Sequence, residues 1–260
     1  PGSIRFNTDS AHLEYWNGTV WLEFEASSVE FGDSESASIF AAGDSGGSGT
    51  RALFGGGYAP GDVNTIDYIS ISTFGNAIEF GELTEKRRAG TAVSDGVRAI
   101  WWGGRFGPTL APSNTIDRVT IASTGHAVDF GDNKTRLQFG TGCSNATRGV
   151  YGGGYEHSPL SDVTNSLYYI TMASDGDSID FGDVSSGHHH NGAGCQSPVR
   201  GIFAGGINPS PTAVMSKIID YITISTLGNT LDFGDLTGER QNVGGCSNAV
   251  RGIFGGGRIG

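Results

Sequence analysis

Histidine and cysteine are the residues of this sequence whose spacing first invites a chemical interpretation. His188, His189 and His190 are consecutive, and three cysteines recur at intervals of 52 and 51 residues: Cys143, Cys195 and Cys246. Consecutive residues of a strand point to opposite faces, so at most two of these histidines could bind one ion there. Val93 stands 50 residues before the first cysteine, which favours a small buried apolar position over a soft-metal site. We therefore expect no metal and no cofactor, and an exposed or pH-dependent histidine loop.

Paired carboxylates that could hydrolyse a glycosidic bond are absent from a set of small-residue segments that recur along the chain. Such a site uses two Asp or Glu side chains. These segments, which are predicted below to be the inner strands of the fold, contain neither residue type: 89–93, 139–143, 192–195 and 243–246. No nucleophile-elbow pattern is visible either. The sequence therefore predicts that the protein is not an enzyme.

Basic side chains are better candidates for binding, because they gather in loops of a chain with 16 basic and 27 acidic residues. The candidates are Lys86, Arg87, Arg88, Arg105, Lys134, Arg136 and Arg240, joined by Tyr155, His188, His189 and His190. Cationic loops on an otherwise acidic protein would suit an anionic surface sugar. A solvated loop rim without a ligand is the alternative.

Trp102 departs from the pattern of the rest of the chain. It stands where the other copies of a repeat have Gly55, Gly152, Ala204 and Gly255. An exposed indole would offer a flat apolar platform for a sugar ring. An indole that only plugs a central channel is the alternative, and the sequence leaves both open.

The repeat itself is defined by two markers with one period. One marker is Phe-Gly-Asp or Phe-Gly-Glu, with steps of 49 to 52 residues, and it begins at Phe31, Phe80, Phe130, Phe181 and Phe233. The other starts with Arg and ends in Gly-Gly, at 51–57, 98–104, 148–154, 200–206 and 251–257. A period of about 50 residues with four short strands is typical of a β-propeller blade of kelch type.

Each period predicts four strands, here named a to d. Strand a is a small-residue segment such as 243–246, and strand b is the Arg…Gly-Gly marker. Strand c alternates apolar and polar residues, as in 218–225, and strand d ends at the Phe-Gly-Asp marker, as in 230–233. The repeated Arg of strand b and the acidic residue of strand d suggest an Arg–carboxylate ring that ties strands or blades together.

The phase of the repeat predicts how the fold closes. The chain ends after strands a and b, and residues 20–22 have the spacing of strand c before Phe31. We therefore predict an all-β fold, a five-bladed β-propeller of four-stranded blades. Its N-terminal strands c and d would join the C-terminal strands a and b to close the ring.

The segment before the repeat predicts a separate element. Ile4–Asn7 and His12–Trp16 read as two strands of a hairpin, and Asn17-Gly18 follows as a turn signal. We predict that residues 1–18 form an N-terminal hairpin or connector and that residues 19–260 form the propeller.

The connections between strands predict which end of the fold binds. The a–b and c–d turns share one end, which we call the turn face. The b–c and d–a connections share the other end, the loop face, and the b–c loops differ in length: 58–64, 105–114, 155–165 and 207–216. Rigid scaffolds usually place recognition on variable loops, so we predict the binding site on the loop face.

Charge and hydrophobicity exclude several classes of protein. A net charge of −11 repels the phosphate backbone, and no apolar run approaches the roughly 18–20 residues of a membrane helix. We therefore expect no nucleic-acid partner and no membrane insertion. Residues 1–6 show no signal-peptide pattern, so we expect a chain that avoids the general secretory route or has already been processed.

Nearly the full chain resembles the kelch-like propellers of bacteriophage virion proteins, especially tail fibres and other tail proteins of marine and cyanobacterial phages. The resemblance is carried by residues 148–154, 219–229 and 231–235, and residues 2–21 are similar to a short segment common in tail-fibre proteins. The sequence departs from the pattern at Trp101-Trp102 and at Leu167-Tyr168-Tyr169, where other copies have Ile-Asp-Tyr.

The resemblance implies a non-enzymatic component of a virion tail, extracellular when mature, which contacts other tail proteins. It also implies binding to a host cell-surface receptor, with a glycan as the expected ligand. One alternative is a structural or decorating virion protein whose propeller docks other proteins. A further alternative is a secreted bacterial lectin-like protein.

Overall fold

The computed structural model describes the backbone of residues 4–7, 12–16, 18–23, 40–41, 50–107, 111–157, 161–185, 192–208 and 214–259. It describes side chains at 18–21, 50–107, 111–156, 163–185, 192–207 and 214–259. The chain divides into two units, Pro1–Asp33 and Ser34–Gly260. All regular elements within these ranges are β-strands, which confirms the all-β class. We predicted a domain boundary after residue 18 from the phase of the repeat, and that boundary stays a prediction.

The first unit contains a three-stranded antiparallel sheet, formed by Ile4–Asn7, His12–Trp16 and Trp21–Glu23. Ile4 lies opposite Tyr15, and Trp16 lies opposite Trp21. The first two strands are the ones that the sequence predicted for a hairpin. Trp21–Glu23 overlaps the segment predicted as strand c of the last blade and pairs here with His12–Trp16. Its pairing with C-terminal strands stays a prediction.

Within its described residues, the second unit contains four four-stranded antiparallel sheets, each in the predicted order a-b-c-d. Sheet 1 is Phe40–Ala41, Arg51–Gly55, Thr65–Ser70 and Ile78–Glu82; sheet 2 is Thr91–Ser94, Arg98–Trp102, Thr115–Thr120 and Val128–Asp132. Sheet 3 is Thr141–Ser144, Arg148–Gly152, Ser166–Thr171 and Ile179–Asp183; sheet 4 is Ala193–Gln196, Arg200–Ala204, Ile218–Thr223 and Leu231–Asp235. Sheet 5 has two described strands, Gly244–Ser247 and Gly252–Gly255.

Strand a begins later than the sequence predicted, and the backbone shows why. Ala89 and Phe139, where we expected strands to start, have φ angles of 58° and 60°. A residue in this left-handed region turns the chain, so the extended strands start only at Thr91 and Thr141.

The b–c connections add short strands at the loop face. Arg105–Phe106 pairs with Ala111–Pro112, and Ile207–Asn208 pairs with Val214–Met215. In sheet 3, Tyr155–His157 pairs with Ser161–Val163 of the same connection and with Leu137–Gln138 of the preceding d–a connection. The variable loops are thus partly ordered as hairpins that continue beyond the sheets.

Apolar side chains fill the spaces between consecutive sheets. Leu53 and Phe80 of sheet 1 are buried in one cluster with Trp101 of sheet 2. The equivalent cluster between sheets 2 and 3 contains Ile100, Trp102, Phe130, Tyr151 and Met172. Sheets 3 and 4 enclose a third, which contains Val150, Phe181, Phe203, Ile222 and Ile224. Among the described residues, the core is therefore a series of three similar layers, which lie between sheets 1 and 2, sheets 2 and 3, and sheets 3 and 4.

The Phe-Gly-Asp marker lets the backbones of neighbouring sheets meet. The N–H of Gly176, in the c–d turn of sheet 3, donates to Phe130 O of sheet 2 at 2.7 Å. Gly131 lies between them with a φ of 149°, and a Cβ there would be 2.5 Å from Gly176 O. Gly125 and Gly228 make the equivalent bonds to Phe80 O and Phe181 O. Glycine is required in the marker because a side chain would hold the sheets apart.

The repeated Arg of strand b also joins neighbouring sheets, but through a carbonyl group. Arg51 Nη1 donates to Ile121 O of the next sheet at 2.8 Å, and its guanidinium lies 4.7 Å from the centre of the Tyr68 ring. The equivalent hydrogen bonds join Arg98 to Met172 O and Arg148 to Ile224 O. The Arg–carboxylate ring that we suggested is therefore wrong. Asp129 instead accepts a bond from Gly131 N–H, two residues away in its own strand.

The recurring cysteines lie where neighbouring sheets contact each other, a place that favours small buried residues. Cys143 and Cys195 are free and buried, whereas Cys246 in sheet 5 is free and exposed. A Cβ added to Gly201 of sheet 4 would lie 2.2 Å from Cys143 Sγ, so the thiol occupies the space above that glycine. Burial raises the pKa of Cys195 to about 11.

This contact predicts a compensating pair of substitutions. Gly201→Ala should destabilise the protein by about 1–3 kcal/mol, because the added methyl group overpacks a filled site. Adding Cys143→Ala should recover most of that loss, since the removed sulfur is the atom in the way. Urea unfolding measures both effects. Gly61→Ala is the control, because its methyl group would meet no atom within 4 Å. Equal midpoints for Gly201→Ala and Gly61→Ala would contradict the packing.

Candidate ligand-binding face

Trp102 is not an exposed platform for a sugar, so that part of the prediction is wrong. The side chain is 0% exposed and packs between sheets 2 and 3 beside Tyr151, with ring centres 5.7 Å apart. Its indole N–H donates to Asn133 Oδ1 at 3.1 Å. At the equivalent positions other side chains already fill the space, because a Cβ on Gly55 would lie 2.6 Å from Trp101 Nε1 and a Cβ on Gly152 would lie 2.6 Å from Leu167 Cδ2.

Arg87 is also inside the protein, and it cannot bind a ligand at the loop face. Its side chain is fully buried, and Nη2 lies 2.7 Å from Asp117 Oδ2 in strand c of sheet 2. Nη1 donates to the carbonyl groups of Gly103 and Thr115 at 3.2 and 2.9 Å. The sequence could not separate this residue from its exposed neighbour Lys86, because both lie in one run of basic residues.

Asp117 is held by several groups at once. Burial raises the pKa of its carboxyl group, while Arg87 and two hydrogen bonds from Thr84 act in the opposite direction. Thr84 donates its hydroxyl to Oδ1 at 2.5 Å and its N–H to Oδ2 at 3.3 Å. The pair is a polar bond between sheets 1 and 2 in an otherwise apolar layer.

Between sheets 2 and 3, uncharged residues occupy the positions of this ion pair. Leu137 takes the repeat position of Arg87, and Tyr168 takes that of Asp117. Both belong to the buried cluster between sheets 2 and 3. The two positions therefore change together, from an ion pair to an apolar pair. This joint change was visible in the aligned repeat and is the signal that could have identified Arg87 as a structural residue.

Arg88 and Arg105 meet at the loop face but are largely covered. Their backbones form a β-bridge, with N–H···O distances of 3.0 and 2.8 Å, and each residue is 7% exposed. Arg88 Nε lies 3.4 Å from Asp62 Oδ1, and its guanidinium lies 4.5 Å from the centre of the Tyr58 ring. The guanidinium of Arg105 covers Phe139 at 4.7 Å. Both arginines hold loops together and offer little surface to a ligand.

The remaining candidates differ in their exposure. Lys86, Lys134 and Arg136 are exposed in the d–a connections. Tyr155 is half-buried and pairs with Gln138 in a short sheet. Arg240 is half-buried and donates to Gly238 O and Thr237 Oγ1. The structure therefore leaves three exposed cationic side chains from the predicted set.

His188, His189 and His190 lie outside the described residues. In the repeat, His188 lies seven residues after Phe181, as Arg87 lies seven residues after Phe80. Within the described residues, no group of three or more His, Cys, Asp or Glu side chains is arranged to hold a metal ion. The same part of the chain contains no helix long and apolar enough to cross a membrane.

Sequence reasoning missed one feature at the turn face. A cavity of about 370 Å³ lies beside the c–d turn of sheet 1 and is lined in part by Phe74. The variation in loop length predicted recognition on the loop face and not at the short turns. The signal was a single Phe at a turn position where other copies have Thr124, Asp175 and Leu227.

Comparison with known proteins adds to the description of the fold. No protein-family model and no curated protein matches the sequence. Among solved structures, that of YjhT, a protein with a β-propeller-like fold, matches with a TM-score of 0.68 and 9% sequence identity. The match covers 86% of this chain and 72% of YjhT. At this identity the likeness shows the fold alone, and the four-stranded sheets are consistent with a β-propeller.

The Arg87–Asp117 pair predicts that replacing one of the two residues lowers stability more than replacing both. Arg87→Leu should lower the free energy of unfolding by about 3–5 kcal/mol, because it leaves the buried Asp117 carboxyl group without its partner cation. The double variant Arg87→Leu/Asp117→Tyr copies the pair found between sheets 2 and 3, and we expect it to lose much less. Lys86→Ser is the exposed control, with a change within about 0.5 kcal/mol. Denaturant unfolding measures these values, and additive losses in the double variant would contradict the interpretation.

Proposed function

We propose that this protein is a non-enzymatic binding module that recognises an anionic glycan on a host cell surface, as a component of a phage tail. One observation carries the binding proposal. Lys86, Lys134 and Arg136 remain exposed in the d–a connections of a chain with a net charge of −11. Fixed cations at one end of an acidic protein attract an anionic polymer to that end. The virion context rests on the sequence resemblance.

The inner strands support a binding role over catalysis. The four described strands a that follow sheet 1 contain no Asp or Glu: Thr91–Ser94, Thr141–Ser144, Ala193–Gln196 and Gly244–Ser247. A glycosidase would need two carboxyl groups about 5–10 Å apart where the substrate lies. Reversible recognition by loop cations requires no such pair, and several copies on one particle would strengthen it.

We expect binding to depend on the three loop cations and to weaken with salt. Lys86→Ser/Lys134→Ser/Arg136→Ser should lower affinity for an anionic bacterial polysaccharide by more than about tenfold. A glycan array at 50 and 300 mM salt measures this. The control Ala122→Asp/Ala173→Asp/Ser225→Asp makes the same change in net charge at exposed positions of the turn face. Equal losses in both variants would contradict a loop-face site.

We also propose that the fold is a five-bladed ring closed by N-terminal strands c and d. The support comes from apolar residues of sheets 4 and 5 that are exposed, whereas the residues at the equivalent positions of other sheets are buried. Phe233 is 55% exposed, whereas Phe80, Phe130 and Phe181 are at most 3% exposed. Ile253 is 64% exposed, whereas Ile100 is fully buried. These apolar side chains of sheets 4 and 5 have the exposure expected where strands c and d of a fifth blade would lie.

Closure of the ring predicts that Phe233 contributes about as much to stability as its buried counterpart Phe181. Phe181→Ala should lower the free energy of unfolding by about 3–5 kcal/mol. In a closed ring, Phe233→Ala should cost nearly the same amount, because strand c of the fifth blade would cover the ring. Thermal or urea unfolding of the full chain compares the two. A loss of less than about 1 kcal/mol for Phe233→Ala would show that no strand covers it.

A second candidate function is docking of another virion protein on the turn face. Three equivalent a–b turn residues are apolar and exposed there: Val97 at 62%, Val199 at 59% and Val250 at 87%. An array with no glycan binding by a folded protein would favour this candidate over the first.

A further inference from the structure

A half-open cavity beside the c–d turn of sheet 1 has a volume and a set of polar and aromatic side chains that a small ligand could use. Its volume of about 370 Å³ lies within the range of about 300–1,000 Å³ that is usual for such sites. Arg51 and Tyr68 line it from strands b and c, and Thr73, Phe74 and Asn76 line it from the turn. These residues lie at the opposite end of the strands from the loop cations.

The turn face of sheet 2 differs from that of sheet 1 at this position. In sheet 2, Arg118 takes the position of Tyr68, and Asp175 from the turn of sheet 3 pairs with it at 2.6 and 2.8 Å. Tyr68 cannot form such an ion pair, and the described residues that line the cavity beside it all belong to residues 50–78.

Charge decides which ligands the cavity can accept. Arg51 is the only charged residue among its described lining residues, although the chain as a whole is acidic. The guanidinium is fixed by its bond to Ile121 O and by its stacking on Tyr68. One hydrogen bond uses one of five N–H donors, and a guanidinium matches the geometry of a carboxylate. The site therefore favours a ligand with a carboxylate group.

The other lining residues match the chemistry of a sugar ring. Phe74 is 100% exposed, and an exposed aromatic ring offers a flat apolar face at a low cost in conformational entropy. Next to it, the Asn76 amide and the hydroxyl groups of Ser70 and Thr73 can donate and accept hydrogen bonds. A pyranose ring has one apolar CH face and a rim of hydroxyl groups, so both parts of the lining find a partner.

We propose that this cavity binds a uronic-acid ring. The sugar packs its CH face on Phe74, its carboxylate pairs with Arg51, and its hydroxyl groups bond to the Asn76 amide and the neighbouring hydroxyls. The site is separate from the loop face and does not depend on the virion context.

Calorimetric titration of the full chain with trigalacturonate tests the proposal, and the trimethyl ester is the uncharged ligand of the same shape. We use Phe74→Thr and Asn76→Asp, which introduce the residues that the repeat itself has at Thr124 and Asp177, so the turn should still fold. The matched controls are Leu227→Thr and Asn229→Asp, at the same two positions in sheet 4.

We expect the wild-type chain to bind the acid at least about tenfold more tightly than the ester, as one charge-assisted pair requires. Phe74→Thr should weaken binding of both ligands. Asn76→Asp should weaken binding of the acid alone, because it places a carboxylate beside the ligand's own. Both controls should bind like the wild type.

Three results would overturn the proposal: no binding of either ligand by the folded wild-type chain, equal affinity for acid and ester, or equal effects in sheets 1 and 4. The loop variant Lys86→Ser/Lys134→Ser/Arg136→Ser separates this site from the proposed function. Retained binding of trigalacturonate by that variant supports the cavity, whereas lost binding would place the ligand on the loop face.

Discussion

The close approach of each c–d turn to strand d of the preceding sheet is the constraint on which the rest of this structure depends. The turn backbone bonds directly to the Phe carbonyl of the marker, as Gly176 does to Phe130. A glycine must lie between them, because a Cβ at Gly131 would be 2.5 Å from the turn carbonyl. Once this distance is fixed, the depth of the apolar layer between two sheets is fixed as well, and the residues of each layer must fit it.

The sheets differ in how they fill that fixed depth. Sheets 1 and 2 use the buried Arg87–Asp117 pair, and sheets 2 and 3 use Leu137 and Tyr168 at the same two positions. Trp102 fills further space in the second layer, beside Tyr151. At the turn face, Asp175 pairs with Arg118 between sheets 2 and 3, whereas a cavity lies beside Tyr68 and the c–d turn of sheet 1. The sheets keep the same backbone contacts, while the side chains between them differ, so individual sites arise without a change of fold.

The sequence predicted the repeating part of the architecture well, because period and alternation are local properties. The four sheets, their strand order and the hairpin strands Ile4–Asn7 and His12–Trp16 follow the predicted pattern. The contents of each layer were harder to predict, since burial depends on the neighbouring sheet. Lys86 and Arg87 are adjacent and chemically alike, yet one is exposed and the other fully buried. The prediction for Trp102 was wrong for the same reason, and the cavity beside Phe74 is formed jointly by residues of strands b and c and of the c–d turn.

The reactivity of Cys246 tests most directly whether the same contact repeats around a closed ring. Cys143 lies against Gly201, and Cys195 lies against Gly252 of the next sheet. In a closed ring, Cys246 would lie in the same way against Ala52 of sheet 1, although it is exposed among the described residues of its own sheet. The native chain is treated with a thiol reagent, and the modified residues are identified by mass spectrometry. The account predicts slow modification of all three cysteines, at rates that follow global unfolding. Rapid modification of Cys246 alone, in a chain that is otherwise folded, would contradict closure of the ring.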